Sequence, residues 1–224
     1  MTTLTTAPVA PVLDRLFAEA ALARPETSPM FAEMSERAGE LMRSRSGHIE
    51  LYTQLRDYPL PVSRETGLLL YMLARGFKAR SIVEFGTSFG ISTLFLAAAL
   101  RDNGGGRLIT TEFEPSKIAR ARRNLAEGGL SDLVEIRQGD ALQTLSADLP
   151  EAIDLVLLDG AKPLYGDILA LLERRLSSGA FIVADNADAN PDYLAYVRSP
   201  DNGYLSVPFG TDVELSMRVG QGNV

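Results

Sequence analysis

The sequence predicts an α/β fold: a doubly wound, seven-stranded sheet, mostly parallel, with an antiparallel C-terminal hairpin strand and helices added at the N-terminal end. Three observations predict it. From Ser63 onward, β-branched runs of strand length alternate at least five times with helical segments. Such alternation means parallel strands joined by crossover helices. The last two strand-like runs, "YLSVPF" and "DVELSMRV", are separated only by a tight turn at "GTD", so they must be antiparallel to each other. Before Ser63, apolar residues recur at helical spacing instead of alternating.

The elements follow in order. The first ten residues are rich in Thr, Ala and Pro and are expected to fray. Val12–Ala23 places Val12, Leu13, Leu16, Phe17, Ala20 and Ala21 on one helical stripe. After "RPETSP", a second helix is expected over Met30–Met42 and a third over Ile49–Leu55. These three read as a helical layer on the core; covering a substrate site or a dimer contact is the other reading. Ser63 is an N-cap, with Glu65 in the first turn of the next helix. "SIVEFG" is a strand, Ile91–Leu100 a helix and "RLITTEFE" a strand. Pro115 opens a helix to Glu127, stopped by two glycines. "VEIRQGD" is a strand, Ala141–Leu149 a short helix, "IDLVLLDG" a strand, Pro163–Leu176 a helix and "AFIVADN" a strand. Asn190 opens a helix over Pro191–Arg198. The expected organisation is a single domain over 1–224, with an N-terminal extension over 1–60 and a Rossmann-like core over 61–219.

Composition narrows the function classes. With 46% hydrophobic residues the chain can bury a large core. A net charge of -7 argues against nucleic acid and against an anionic membrane surface as partners. There is no cysteine, hence no disulfide, no thiolate chemistry and no cysteine-bound zinc. His48 is the single histidine, which excludes a multi-histidine metal site. No apolar run approaches the ~20 residues that span a bilayer, and the opening residues lack a basic leader. A cytoplasmic protein is expected.

Ligands of an open parallel sheet bind outside the carboxyl ends of its strands, where strand order reverses. Here those ends read "EFGTSFG", "TEFE", "GDA", "DGAK" and "DNAD", each with at least one carboxylate. One such residue is easily a solvated strand end; five in succession point to a ligand site. The turn from Gly86 through Thr87 to Gly90 lacks the G-x-G-x-x-G pattern, and no G-K-[ST] loop occurs. Glycine there lets backbone approach a ligand closely. Glu84 would repel a pyrophosphate and attract a cation. Glu112, followed by Phe113, can accept from two ribose hydroxyls, as nicotinamide-binding folds also do. Asp140, beside Ala141, can accept from an exocyclic amine. Together they suit a positively charged nucleoside without phosphate: S-adenosylmethionine.

Asp159 ends the fourth strand, and Asp185 and Asn186 end the fifth. Neighbouring strands lie ~4.8 Å apart, so three hard oxygen donors would meet, a set that suits Mg²⁺. Asp185 and Asn186 could instead cap the following turn. Lys162 stands close after Asp159. Beside a divalent cation its pKa should fall, which suits a general base; otherwise it is an ion-pair partner for Asp159. Tyr165 either packs over the cofactor or braces its helix.

These residues resemble the cation-dependent O-methyltransferase family that includes caffeoyl-CoA and catechol O-methyltransferases. The resemblance covers about Pro61 to Val219. Its most specific parts are "DGAKPLY", matching D-x-x-K-x-x-Y, and "ADN"; "VEFGTSFGIST" and "TTEFEP" match the cofactor region. It implies Asp159, Asp185 and Asn186 as ligands of a divalent cation, and Lys162 with Asp159 at the chemistry. It implies Glu84, Gly86, Ser92, Glu112 and Asp140 around S-adenosylmethionine, and a homodimer. The segment after the Asp-Asn pair, "ADANPDYLAYVRSPDNG", lacks the tryptophan usual in plant members, and the chain has none. The expected reaction is methyl transfer to a hydroxyl of a small aromatic acceptor. A metal-independent methyltransferase on another small molecule is the alternative.

Overall fold

The computed structural model describes residues 1–23, 37, 40–42 and 44–220. Its strands are β1 (Ser81–Phe85), β2 (Arg107–Glu112), β3 (Val134–Gln138), β4 (Ile153–Leu158), β5 (Leu176–Ala184), β6 (Tyr204–Phe209) and β7 (Val213–Arg218). They form one sheet in the order β3-β2-β1-β4-β5-β7-β6. β1 to β5 are mutually parallel, and β7 is antiparallel to both β5 and β6. Ile82, Val83, Val156 and Leu157 are fully buried. That is why Ile82–Val83 in β1 and Leu155–Leu158 in β4 are unbroken apolar stretches: crossover helices cover both faces.

The helices are α1 (Val9–Leu22), α2 (His48–Gln54), α3 (Arg64–Gly76), α4 (Ile91–Asp102), α5 (Pro115–Glu127), α6 (Ala141–Thr144), α7 (Tyr165–Leu172) and α8 (Pro191–Arg198). α1, α3, α4 and α5 contribute to the core on one face of the sheet, and α6, α7 and α8 to that on the other. α4 is buried without a break from Ile91 to Leu100. A helix apolar all round belongs in the interior, and α1 and α3 pack over it. Among the described residues no helix is long and apolar enough to cross a membrane.

Several expectations need correction. The first ten residues are not frayed. Thr3–Thr5 form a 3₁₀ turn closed by a capping box from Thr2. The Thr3 amide donates to the Asp102 carboxylate at 3.1 Å, and Leu4 and Val9 are buried. α1 therefore starts at Val9, with Pro11 in its first turn, where a missing N–H costs nothing. The helix expected over Ala141–Leu149 is the single turn of α6, because Arg137 takes the carbonyls of Thr144, Ala147 and Asp148. The helix expected to reach Leu176 ends as a 3₁₀ turn at Arg175, and Leu176 already belongs to β5. The expected Met30–Met42 helix lies largely outside the described residues.

Strand order reverses between β1 and β4: β1 pairs with β2 on one side and β4 on the other. The chain just past β1 runs tight against the end of β4. Gly86 has φ 106°, and a Cβ there would lie 2.5 Å from the Asp159 carbonyl oxygen. Glycine is required at this crossing on both counts.

Candidate active site

A cavity of about 1260 Å³ opens at the carboxyl ends of the parallel strands. Gly86, Glu112, Asp140, Asp159, Asp185 and Asn186 all line it, as do Phe113, Ala141 and Lys162. α2 and the segment before α3 form its far wall through Tyr52, Leu60, Pro61 and Val62.

At one end Glu112 is locked in place. Its Oε2 accepts from the Ser88 amide at 2.9 Å, and its Oε1 from the amides of Phe113 (2.9 Å) and Glu114 (3.0 Å). Burial pushes its carboxyl above the usual range, with the Glu114 amide and the Lys117 charge pulling against that. Lone pairs remain to accept from a diol. Asp140 caps α6 by accepting from the Leu142 amide at 2.9 Å through Oδ1, which leaves Oδ2 for a ligand.

Glu84, Thr87, Ser92 and Tyr165 do not line the cavity; they stand behind it. In a strand, neighbours point to opposite faces, so Phe85 faces the cavity and Glu84 faces α4. The Glu84 carboxylate accepts from Ser92 Oγ and Thr93 Oγ1, each at 2.6 Å, in the first turn of α4. Burial raises it to about 7, against the hydrogen bonds. Thr87 bonds Thr110 Oγ1 at 2.6 Å and the Thr111 carbonyl at 3.0 Å. Tyr165 donates to the Asp185 carbonyl at 2.7 Å. These four fix the loops that carry the lining residues.

At the other end, Leu158 of β4 and Ala184 of β5 are register partners, and the Asp185 amide donates to the Leu158 carbonyl at 2.9 Å. The next residues, Asp159 and Asp185, therefore stand on adjacent strands about 4.8 Å apart at the backbone. Asp159 Oδ1 accepts from Lys162 Nζ at 3.0 Å. The Asp185 side chain is nearly buried, and among the described residues no donor reaches its carboxylate. Burial and the charge of Asp159 raise it to about 7, with Lys162 opposing and Asp212 adding. Asn186 is held at φ 49°, a left-handed conformation that asparagine tolerates. Its Nδ2 donates to Asp212 Oδ2 at 3.0 Å.

Segment 83–187 matches the family described as a methyltransferase domain. A catechol O-methyltransferase from Niastella koreensis is 38% identical over 57% of this chain and 58% of its own length. Catechol O-methyltransferase B from Danio rerio is 32% identical over 75% of this chain and 66% of its own. The crystal structure of O-methyltransferase TomG from Streptomyces achromogenes, involved in tomaymycin synthesis and in complex with S-adenosylmethionine, superposes with a TM-score of 0.65. It is 30% identical over 83% of this chain and 89% of that one. The chain belongs to the S-adenosylmethionine-dependent O-methyltransferase family. It spans less than two thirds of the length of the curated catechol O-methyltransferases it matches.

For a member of this family the cation question turns on whether the residues fit one. Among the described residues no three His, Cys, Asp or Glu side chains gather as a ready-made metal site. The expected set is two carboxylates and an amide, and these fit. Asp185 is a nearly buried carboxylate that no donor among the described residues reaches, and it lines the cavity with a second carboxylate and an amide, all carrying hard oxygen atoms of the kind such an ion takes. Lys162 departs from the expected fall in pKa. Burial works against its charge, but Tyr165, Asp159, Tyr52 and Asp185 outweigh that and hold it well above the lysine range. The chain's own charges act opposite to the field of a cation.

Three further residues, Tyr52, Lys117 and Asp212, line the cavity without a signal in the sequence that marks them. Lys117 is buried, with Nζ 3.2 Å from Ser88 Oγ. It sits in α5 among Arg120, Arg122 and Arg123, and nothing in the pattern singles it out. Asp212 falls in the "GTD" turn of the sequence. Only the pairing of β5 with β7 brings that turn to the end of β5.

Proposed function

We propose that the protein transfers the methyl group of S-adenosylmethionine to a hydroxyl of a small aromatic acceptor, catechol- or phenol-like, with the help of a divalent cation, Mg²⁺ first. The observation that carries this reading is one cavity lined at one end by Glu112 and Asp140 and at the other by Asp159, Lys162, Asp185 and Asn186. The catechol O-methyltransferase activity of the relatives and the donor bound to TomG support it.

Glu112 would hold the ribose diol, Asp140 the adenine amine, and Gly86 would admit the donor close to the backbone. Glu84, Thr87, Ser92 and Tyr165 act at one remove, by fixing the loops. As the acceptor oxygen bonds to the methyl carbon, the sulfur–methyl bond breaks and sulfur keeps the electron pair. A sulfonium methyl is already activated, so the main demand is alignment. A phenol with a pKa of about 10 is a poor nucleophile at neutral pH. A cation held by Asp159, Asp185 and Asn186 would supply Lewis-acid stabilisation of the acceptor oxyanion. Lys162 would accept the acceptor's proton only as the neutral amine, so it must first give up its own proton to solvent, a loss that a cation drawing Asp159 away from it would favour.

The Lys162–Asp159 contact also favours a second reading. A carboxylate already paired at 3.0 Å needs no cation, as in a metal-independent methyltransferase acting on another small molecule. Screening ortho-dihydroxy aromatics with labelled donor, with Mg²⁺ and with EDTA, separates the two. Turnover that persists in EDTA selects metal-independent transfer, and no methylated product from any of these acceptors overturns the first reading.

We extend the proposal to a homodimer. Leu205 and Val207 are 61% and 56% exposed on edge strand β6. A second copy covering that edge would bury them. A monomeric mass by light scattering would refute it.

A further inference from the structure

We propose that Asp212 is a positioning residue of the cation site: it holds the Asn186 amide so that the amide oxygen is the atom offered to the ion. The proposal rests on the cation-assisted reading above.

Asp212 lies at the tip of the β6–β7 turn, far in sequence from the other acidic residues of the cavity, yet lines the same wall as Asp159, Asp185 and Asn186. Two bonds tie it to the end of β5. Its Oδ2 accepts from Asn186 Nδ2 at 3.0 Å, and its carbonyl accepts from the Ala187 amide at 2.8 Å. An ionised carboxylate only accepts. The nitrogen of the Asn186 amide must therefore face Asp212, and its Oδ1 is turned away from it. A carboxamide without such a partner can turn over and present its NH₂ group, which repels a cation. The left-handed backbone of Asn186 fixes where the side chain starts; Asp212 fixes which of its ends is offered. Outer partners of this kind orient ligands in metal sites generally.

The test is calorimetric titration of Mn²⁺ into the intact chain without donor or acceptor, for wild type, Asp212→Ala, Asp212→Asn, Asn186→Ala and the Asn186→Ala/Asp212→Ala double variant. Asp212→Ala should weaken Mn²⁺ binding by about tenfold or more. Asp212→Asn keeps an oxygen acceptor at the same place and should lose clearly less. The double variant should bind as Asn186→Ala does, because the two act through one amide. Equal losses for Asp212→Asn and Asp212→Ala, or additive losses in the double variant, overturn the proposal. S-adenosylhomocysteine binding in the same cell reports an intact fold, and Asp212→Ser replaces the alanine variant if that variant does not fold. A wild-type chain that binds S-adenosylhomocysteine but not Mn²⁺ defeats the cation reading itself, a result distinct from failure at Asp212.

Discussion

Asp159 Oδ1 and Lys162 Nζ lie 3.0 Å apart, with side chains only 13% and 7% exposed. Two nearly buried opposite charges of this kind cannot be altered singly without consequence. Removing one partner of a buried pair typically costs about 3–5 kcal/mol. Asp159→Ala is therefore expected both to lower the melting temperature and to abolish cation-dependent turnover. S-adenosylhomocysteine affinity should change little, because Glu112 and Asp140 stand at the other end of the cavity. Asp159→Ala turnover that survives in EDTA would sink the cation scheme.

Glu84 gives a pH prediction. Its folded pKa is about 7, against the ordinary 4.5. Below 4.5 it is protonated in both states and contributes nothing. Between 4.5 and 7 the unfolded chain releases the proton first, so stability falls as pH rises. Above 7 the penalty is constant. Glu84→Gln keeps the contact with Ser92 and removes the titration. The melting temperature of the variant relative to wild type should rise between pH 5 and pH 8, by on the order of 5 °C. A difference independent of pH refutes this.

Gly86→Ala should be among the most damaging single-methyl changes. The left-handed φ and the clash with the Asp159 carbonyl oxygen act together, for a loss on the order of 3 kcal/mol or more. Gly166→Ala is the control, since a Cβ there meets nothing within 4 Å. Equal melting temperatures for the two variants would contradict the close β1–β4 crossing.

Tyr52 reaches the cavity from α2. Burial raises its phenol, Lys162 opposes, and Asp159 and Glu112 add. It therefore stays protonated as a donor between the two ends of the site. Tyr52→Phe should leave donor binding and melting temperature near wild type and reduce kcat/KM for the acceptor about 2- to 10-fold, the worth of one neutral hydrogen bond. An unchanged kcat/KM removes Tyr52 from the site.

Much of this was legible in the sequence, for identifiable reasons. β1 and β4 are buried on both faces, so their apolar runs and their terminal carboxylates stand out. What stayed hidden depends on partners distant in the chain. "IVEF" does not say whether Glu84 or Phe85 faces the ligand, because strand parity is set by packing. α6 is cut short by a side chain that precedes it, Arg137. Asp212 joins the site only through the antiparallel insertion of β7 between β5 and β6. The amino-terminal Thr-rich stretch is ordered by Asp102, about a hundred residues on.

That last tether governs how recombinant protein should be made. The capping box begins at Thr2, and Leu4 is already packed against the interior. A purification handle fused directly ahead of Thr2 would abut a docked segment, where the Thr3 amide also meets Asp102. Any loss of thermal stability in such a fusion should be assigned to the handle before it is assigned to a substitution.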